Sequence, residues 1–140
     1  MAWAAAIFLF STEVFSGEST SRIIIPFLRW LLPQTDPETL VRLHFLVRKA
    51  AHVGVYFVLS WLVLRGVRGE GSGWRWKWGL TALLIAAGYA ALDEFHQSFV
   101  PGRGWAIRDV MLDSAGAALA QIAAALFDKK AKHETTDEHR

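Results

Sequence analysis

The chain contains no cysteine. Disulfides, a thiolate nucleophile and cysteine-ligated metals are therefore excluded. A surplus of one charge is missing too: Lys and Arg number 15 against 13 Asp and Glu, a formal net charge of +2. So small and scattered a balance gives no footprint for nucleic acid. No HExxH or comparable ligand spacing occurs, so neither a metal nor another cofactor is expected. No internal repeat is visible, which disfavours the repeat architecture of transporters. The N-terminal apolar run has no basic segment before it and no small-residue cleavage site after it, so it does not read as a signal peptide.

What the chain does have is apolar sequence in blocks. Hydrophobic residues make up 53% of 140 positions before glycine is counted, above a soluble composition. The length allows one domain. The blocks fall at residues 2–15, 50–64, 80–99 and 106–127. They predict an all-α fold, an integral membrane bundle of about four transmembrane helices. The first block, roughly 15 residues, is short against the ~17–25 usual for a span. Residues 1–127 form the transmembrane domain, and residues 128–140 a charged, flexible tail. The 7 tryptophans, several flanking the apolar runs, suit anchors at membrane interfaces.

Between the first two spans, residues 22–32 are apolar but too short to cross and interrupted by Pro26. They predict an amphipathic segment on the membrane surface, with Arg22 and Arg29 at the headgroups. Asp36-Pro37-Glu38 is a helix start: a capping residue, proline at the first position and an acid in the first turn. Gly116, Ala120 and Ala124, four apart, give the last helix a small-residue face for close packing. That face also permits an oligomer.

Charged residues cluster where the spans begin and end. Asp93, Glu94 and Gln97 close the third run, and Arg108, Asp109 and Asp113 open the fourth. Lys49, His52 and Tyr56, spaced i, i+3, i+7, share one side of the second. Four spans in series bring these groups, with Glu13 and Arg103, to one end of the bundle. Ionisable groups in lipid are costly, by ~2.5–3.5 kcal/mol each at a helix centre, and such a concentration reads as a functional site. The opposite end holds Arg65, Arg68, Arg75 and Lys77 with Lys129, Lys130 and Lys132. The positive-inside rule makes that end cytoplasmic. The expected location is a multi-pass protein of the inner membrane with its site facing outward.

The ordered set Lys49-x-x-His52-x-x-x-Tyr56, Asp93-Glu94-x-x-Gln97, Pro101-Gly102-Arg103, and Asp109 followed by Gly116 resembles the VanZ-like family of small membrane proteins. Ser11-Thr12-Glu13 is similar to that family's serine-containing turn. The resemblance covers roughly residues 10–126. Asp113 departs from it, since the family often carries Asn there. The resemblance implies a protein of the bacterial cell envelope, in a family whose founding member is associated with resistance to the glycopeptide teicoplanin.

Two readings of the site stay open. As an enzyme, His52 is the general acid/base, oriented or assisted by Asp93, Glu94 or Asp109. Lys49, Arg103 and Arg108 bind an anionic group, such as the phosphate of a lipid-linked cell-wall precursor. Gln97, Tyr56, Ser11 and Asp113 complete the substrate contacts, and the chemistry is hydrolysis or transfer through water or a hydroxyl. As a binder, the same groups hold an anionic lipid, a precursor or a glycopeptide antibiotic without turnover. The bland alternative is that the charges pair only to close the bundle. So many of them are poorly explained that way, because buried pairs add little net stability.

Overall fold

Asp36 has extended backbone (φ −64°, ψ 153°), and its carboxylate accepts the Thr39 N–H at 2.9 Å. The cap satisfies a donor that the first helical turn would otherwise leave bare. Hydrogen bonding from the Thr39 side chain, and then this backbone bond, hold the Asp36 carboxyl below its ordinary range. Pro37 follows at the first helical position, where its missing N–H costs nothing. This start, expected from residue types alone, opens the longest helix.

The structure, a computed structural model, describes Trp3, Ile7 and residues 17–99 and 106–137. All regular elements among these are helical: α1 (Gly17–Leu31), α2 (Pro37–Arg68), α3 (Trp76–Gln97) and α4 (Ile107–Asp137). α2 stops at Gly69, whose φ of +55° suits glycine, and whose N–H closes on the Arg65 carbonyl at 3.2 Å. The packing is dominated by α2 against α4, with α3 filling the angle between them.

α2 and residues Ile107–Ala131 of α4 are long and apolar enough to cross a membrane. α3, at 22 residues, has the length, but Lys77, Asp93 and Glu94 dilute its apolar character. The first expected span is described only at Trp3 and Ile7. The Trp3 indole N–H donates to the Val55 carbonyl at 3.2 Å, and Ile7 is buried against Tyr56, Leu59, Ala86, Ala90 and Ala117.

Side-chain size is distributed opposite to that of a soluble protein. Ala82, Ala86, Ala90, Ala117 and Ala120 are fully buried, while Leu84, Ile85, Leu92, Phe95, Ile122, Leu126 and Phe127 face outward. In water that arrangement forgoes the burial that drives folding, about 1.5–3 kcal/mol per large side chain. In lipid it suits helices that gain by close backbone approach.

α2 and α4 run parallel in nearly constant register. Lys49 meets Asp109 sixty positions on, and Ser60 meets Gln121 sixty-one on. Between these contacts the two backbones touch: a Cβ on Gly116 would lie 2.4 Å from the Val53 carbonyl oxygen. The small-residue face expected on the last helix is thus the face that meets α2. Lower down, the Gln121 amide donates to Ser60 Oγ at 2.8 Å and accepts from the Trp74 indole at 3.4 Å.

Three expectations about element extent need correction. Pro26 does not break its segment; it sits inside α1, a continuous 15-residue helix. A proline removes one backbone donor and clashes with the preceding turn, but in a short helix flanked by strongly apolar residues this does not stop the helix. Nor is the helix confined to residues 22–32, since it begins at Gly17. α1 folds back on α2, with Leu28 and Leu40 buried and Thr20 Oγ1 3.4 Å from His44 Nε2, leaving Ile23, Phe27 and Trp30 exposed beside Arg22 and Arg29. α4 continues through the charged segment to Asp137 instead of stopping near Phe127.

Candidate functional site

Lys49 and His52 lie one turn apart on α2, and Asp109 and Asp113 one turn apart on α4. Parallel packing therefore makes two rungs. Lys49 Nζ donates to Asp109 Oδ1 in a half-buried ion pair. His52 Nδ1 lies 3.3 Å from Asp113 Oδ1. The imidazole is 31% exposed and the carboxylate 3%, so one partner reaches the surface and the other is enclosed. Such a pairing engages Nδ1 and presents Nε2, across the ring, for acid–base work.

α3 adds three buried polar residues from its last turns: Asp93, Glu94 and Gln97. Gln97 Nε2 donates to Asp93 Oδ2 at 2.9 Å, one turn back. Glu94 Oε1 accepts the Ala106 N–H at 3.0 Å, just before α4 begins. A carboxylate from one helix thus caps the next, where an unsatisfied donor and the helix dipole both favour negative charge. Tyr56, one turn below His52, is 1% exposed. Its hydroxyl has Asp93 and Asp113 as charged neighbours. The Tyr56 hydroxyl is within hydrogen-bond reach of the Asp93 carboxylate, as Asp113 is of His52.

Eight of the residues singled out from the sequence are thereby brought to one end of the bundle: Lys49, His52, Tyr56, Asp93, Glu94, Gln97, Asp109 and Asp113. Arg108 is in the first turn of α4 but exposed, on a different side from Asp109. Ser11, Glu13 and Arg103 lie outside the described residues. The detailed pairing differs from expectation. The carboxylate against His52 is Asp113, whereas Asp109 faces Lys49 and Glu94 is bound to backbone. Helix register decides this: i+3 on α2 stands opposite i+4 on α4. Among the described residues no three His, Asp or Glu side chains form a ligand set for a metal ion.

The Ser60–Gln121–Trp74 network was not singled out from the sequence. All three are uncharged, and only the glutamine in the middle of an otherwise apolar run hinted at it. The network holds the other half of the α2–α4 seam and is internally satisfied, so it reads as a structural clamp.

Small residues inside, large apolar residues outside and a knot of ionisable groups at one end define a small helical membrane protein. The chain belongs to the VanZ/LLP1 family, whose model matches residues 1–128. No curated protein and no solved structure matches the chain.

Proposed function

We propose that the chain is a multi-pass protein of the bacterial inner membrane, with residues 1–127 forming a four-span bundle and residues 128–140 a charged extension. The cluster faces outward and acts on a lipid-linked, anionic component of the cell envelope by hydrolysis or group transfer. The observation that carries this reading is the His52–Asp113 pair, 3.3 Å apart, with one partner enclosed and the other at the surface. A carboxylate behind Nδ1 holds the imidazole in one orientation. Nε2 can then take a proton from a water or hydroxyl and return it to a leaving group. Within this reading His52 is catalytic and Asp113 positions it. Lys49, Arg103 and Arg108 would attract the anionic group, and Ser11 would be the candidate hydroxyl. The link to glycopeptide resistance is carried over from the family resemblance and belongs to this proposal.

A second reading, stoichiometric binding of an anionic lipid, a precursor or a glycopeptide, is favoured by Arg108, which is exposed in the first turn of α4 and so open to an anionic group. Guanidinium groups suit bidentate contact with phosphate or carboxylate. One experiment separates the two. Purified protein is incubated with lipid-linked cell-wall precursors, and the products are resolved by mass spectrometry. New product masses that disappear in His52→Ala support catalysis. Retention of unchanged precursor supports binding, and neither outcome with any precursor overturns both.

A further inference from the structure

At the site end of the bundle Lys49 faces Asp109 and His52 faces Asp113. At the opposite end Arg65, Arg68, Arg75 and Lys77 have no carboxylate within 4.0 Å among the described residues. Residues 65–78 and 128–130 together hold six bases, with Lys129 and Lys130, against two acids, Glu70 and Asp128. The fold draws these segments together. A Cβ on Gly71 would lie 2.6 Å from the Trp78 indole, and one on Gly73 2.7 Å from the Asp128 carboxylate on α4. Arg75 lies over Trp78, its guanidinium carbon 4.7 Å from the ring centroid. Arg68, whose carbonyl accepts the Gly71 N–H at 3.0 Å, has an enclosed Nε with no hydrogen-bond partner among the described residues. A guanidinium withdrawn from water without a counter-charge is costly, and an anion removes that cost. A guanidinium stacked on an indole is held in place, with its N–H edge left open for bidentate contact with phosphate.

We propose that this end of the bundle binds the phosphate of an anionic phospholipid headgroup, with Arg68 and Arg75 as its main contacts. The apolar surroundings select a lipid over a free phosphate. Val67, Trp76, Leu80, Leu126 and Phe127 adjoin the bases in sequence and are exposed, Trp76 at 68% and Phe127 at 66%. Acyl chains cover such a surface, whereas inorganic phosphate gains nothing from it. The site is separate from the charged cluster and needs neither turnover nor precursor binding at His52. It holds for whichever leaflet this end faces.

The test is native mass spectrometry of the full chain released from nanodiscs holding phosphatidylcholine and phosphatidylglycerol in equal amounts. The wild type is expected to retain phosphatidylglycerol in preference. Arg68→Gln with Arg75→Gln is expected to cut that retention by about fivefold for each base removed. Arg22→Gln with Arg29→Gln removes two exposed bases from α1, near the other end, and is expected to leave retention unchanged. Equal retention of the two lipids shows that there is no site. Equal loss from both double variants shows a diffuse charge effect, and either result overturns the proposal. In a parallel arm, excess inorganic phosphate is added to the nanodiscs. Displacement of the lipid would mark a free-phosphate site and overturn the lipid assignment; undiminished retention supports it. The Tm of the wild type is also expected to be higher in the mixed nanodiscs than in phosphatidylcholine alone, a difference that the Arg68/Arg75 variant loses. Should that variant fail to fold, Arg75→Gln alone, at an exposed position, decides by the same readouts.

Discussion

His52 Nδ1 stands 3.3 Å from Asp113 Oδ1, one turn below the Lys49–Asp109 ion pair, so α2 and α4 share two successive charged rungs. The rungs hold together helices that both run away from the site end, and they put the enclosed carboxylate behind the accessible imidazole. Most of what can be tested follows from that register.

A double-mutant cycle on His52→Ala and Asp113→Ala, followed by unfolding in mixed micelles, is expected to give a coupling of about 1 kcal/mol. Each single variant should remain folded in the membrane. A coupling within the ~0.3–0.5 kcal/mol scatter of independent sites would mean the contact carries no energy.

Gly116→Ala is expected to destabilise by about 1–3 kcal/mol, because its methyl group would meet a backbone oxygen that cannot rotate away. Gly88→Ala is the control. Nothing lies within 4 Å of its Cβ position, and helix propensity favours alanine there by roughly 0.5–1 kcal/mol. Equal effects at the two positions would contradict the close α2–α4 approach.

Glu94 separates structure from charge. Glu94→Gln keeps an oxygen for the Ala106 N–H and should retain wild-type stability; Glu94→Ala should lose about 1 kcal/mol, typical of a missing cap. Any envelope phenotype that survives in the glutamine variant shows that the negative charge is not needed. Its loss, with the fold intact, shows that it is.

The Asp36 cap predicts a pH effect. Its carboxyl is held below the ordinary value by the bond from Thr39, so the folded state favours the ionised form. The stabilisation is therefore complete above the ordinary carboxylate range and is lost as acidification carries the pH down through the folded value. Asp36→Ala should be less thermostable than wild type near neutrality, with the gap closing as the pH falls below the ordinary carboxylate range. A gap independent of pH would rule out the ionised cap.

A cysteine-free chain offers a clean topology assay. Single cysteines at Gln34, before α2, and at Ser72, after it, are both at exposed positions. A membrane-impermeant maleimide should label the first in whole cells and the second only after lysis. Labelling of both from one side would remove α2 as a span, and the reverse pattern would turn the site inward.

Much of the organisation was legible in the sequence because it depends on local rules. The Asp36-Pro37 start follows from capping chemistry, and the Gly116–Ala120–Ala124 face from helical period. The gathering of Lys49 and His52 with Asp109 and Asp113 at one end follows from connectivity. Which carboxylate faces which base did not follow, because it depends on the relative register of two helices some sixty residues apart. A shift of one residue would rotate the pairing by about 100°. The helical run through Pro26 was also hidden, since proline's local penalty is visible in sequence while the packing of Leu28 against α2 is not. Ser60 and Gln121 carry no charge to mark them in the sequence, although together they hold the far half of the seam.

The touch between the Val53 carbonyl and Gly116 has a mechanical consequence. Two rods locked backbone to backbone cannot slide lengthwise without first being lifted apart, so α2 and α4 behave as one stiff beam. Among the described helices, any widening of the bundle is then left to α3 and α1.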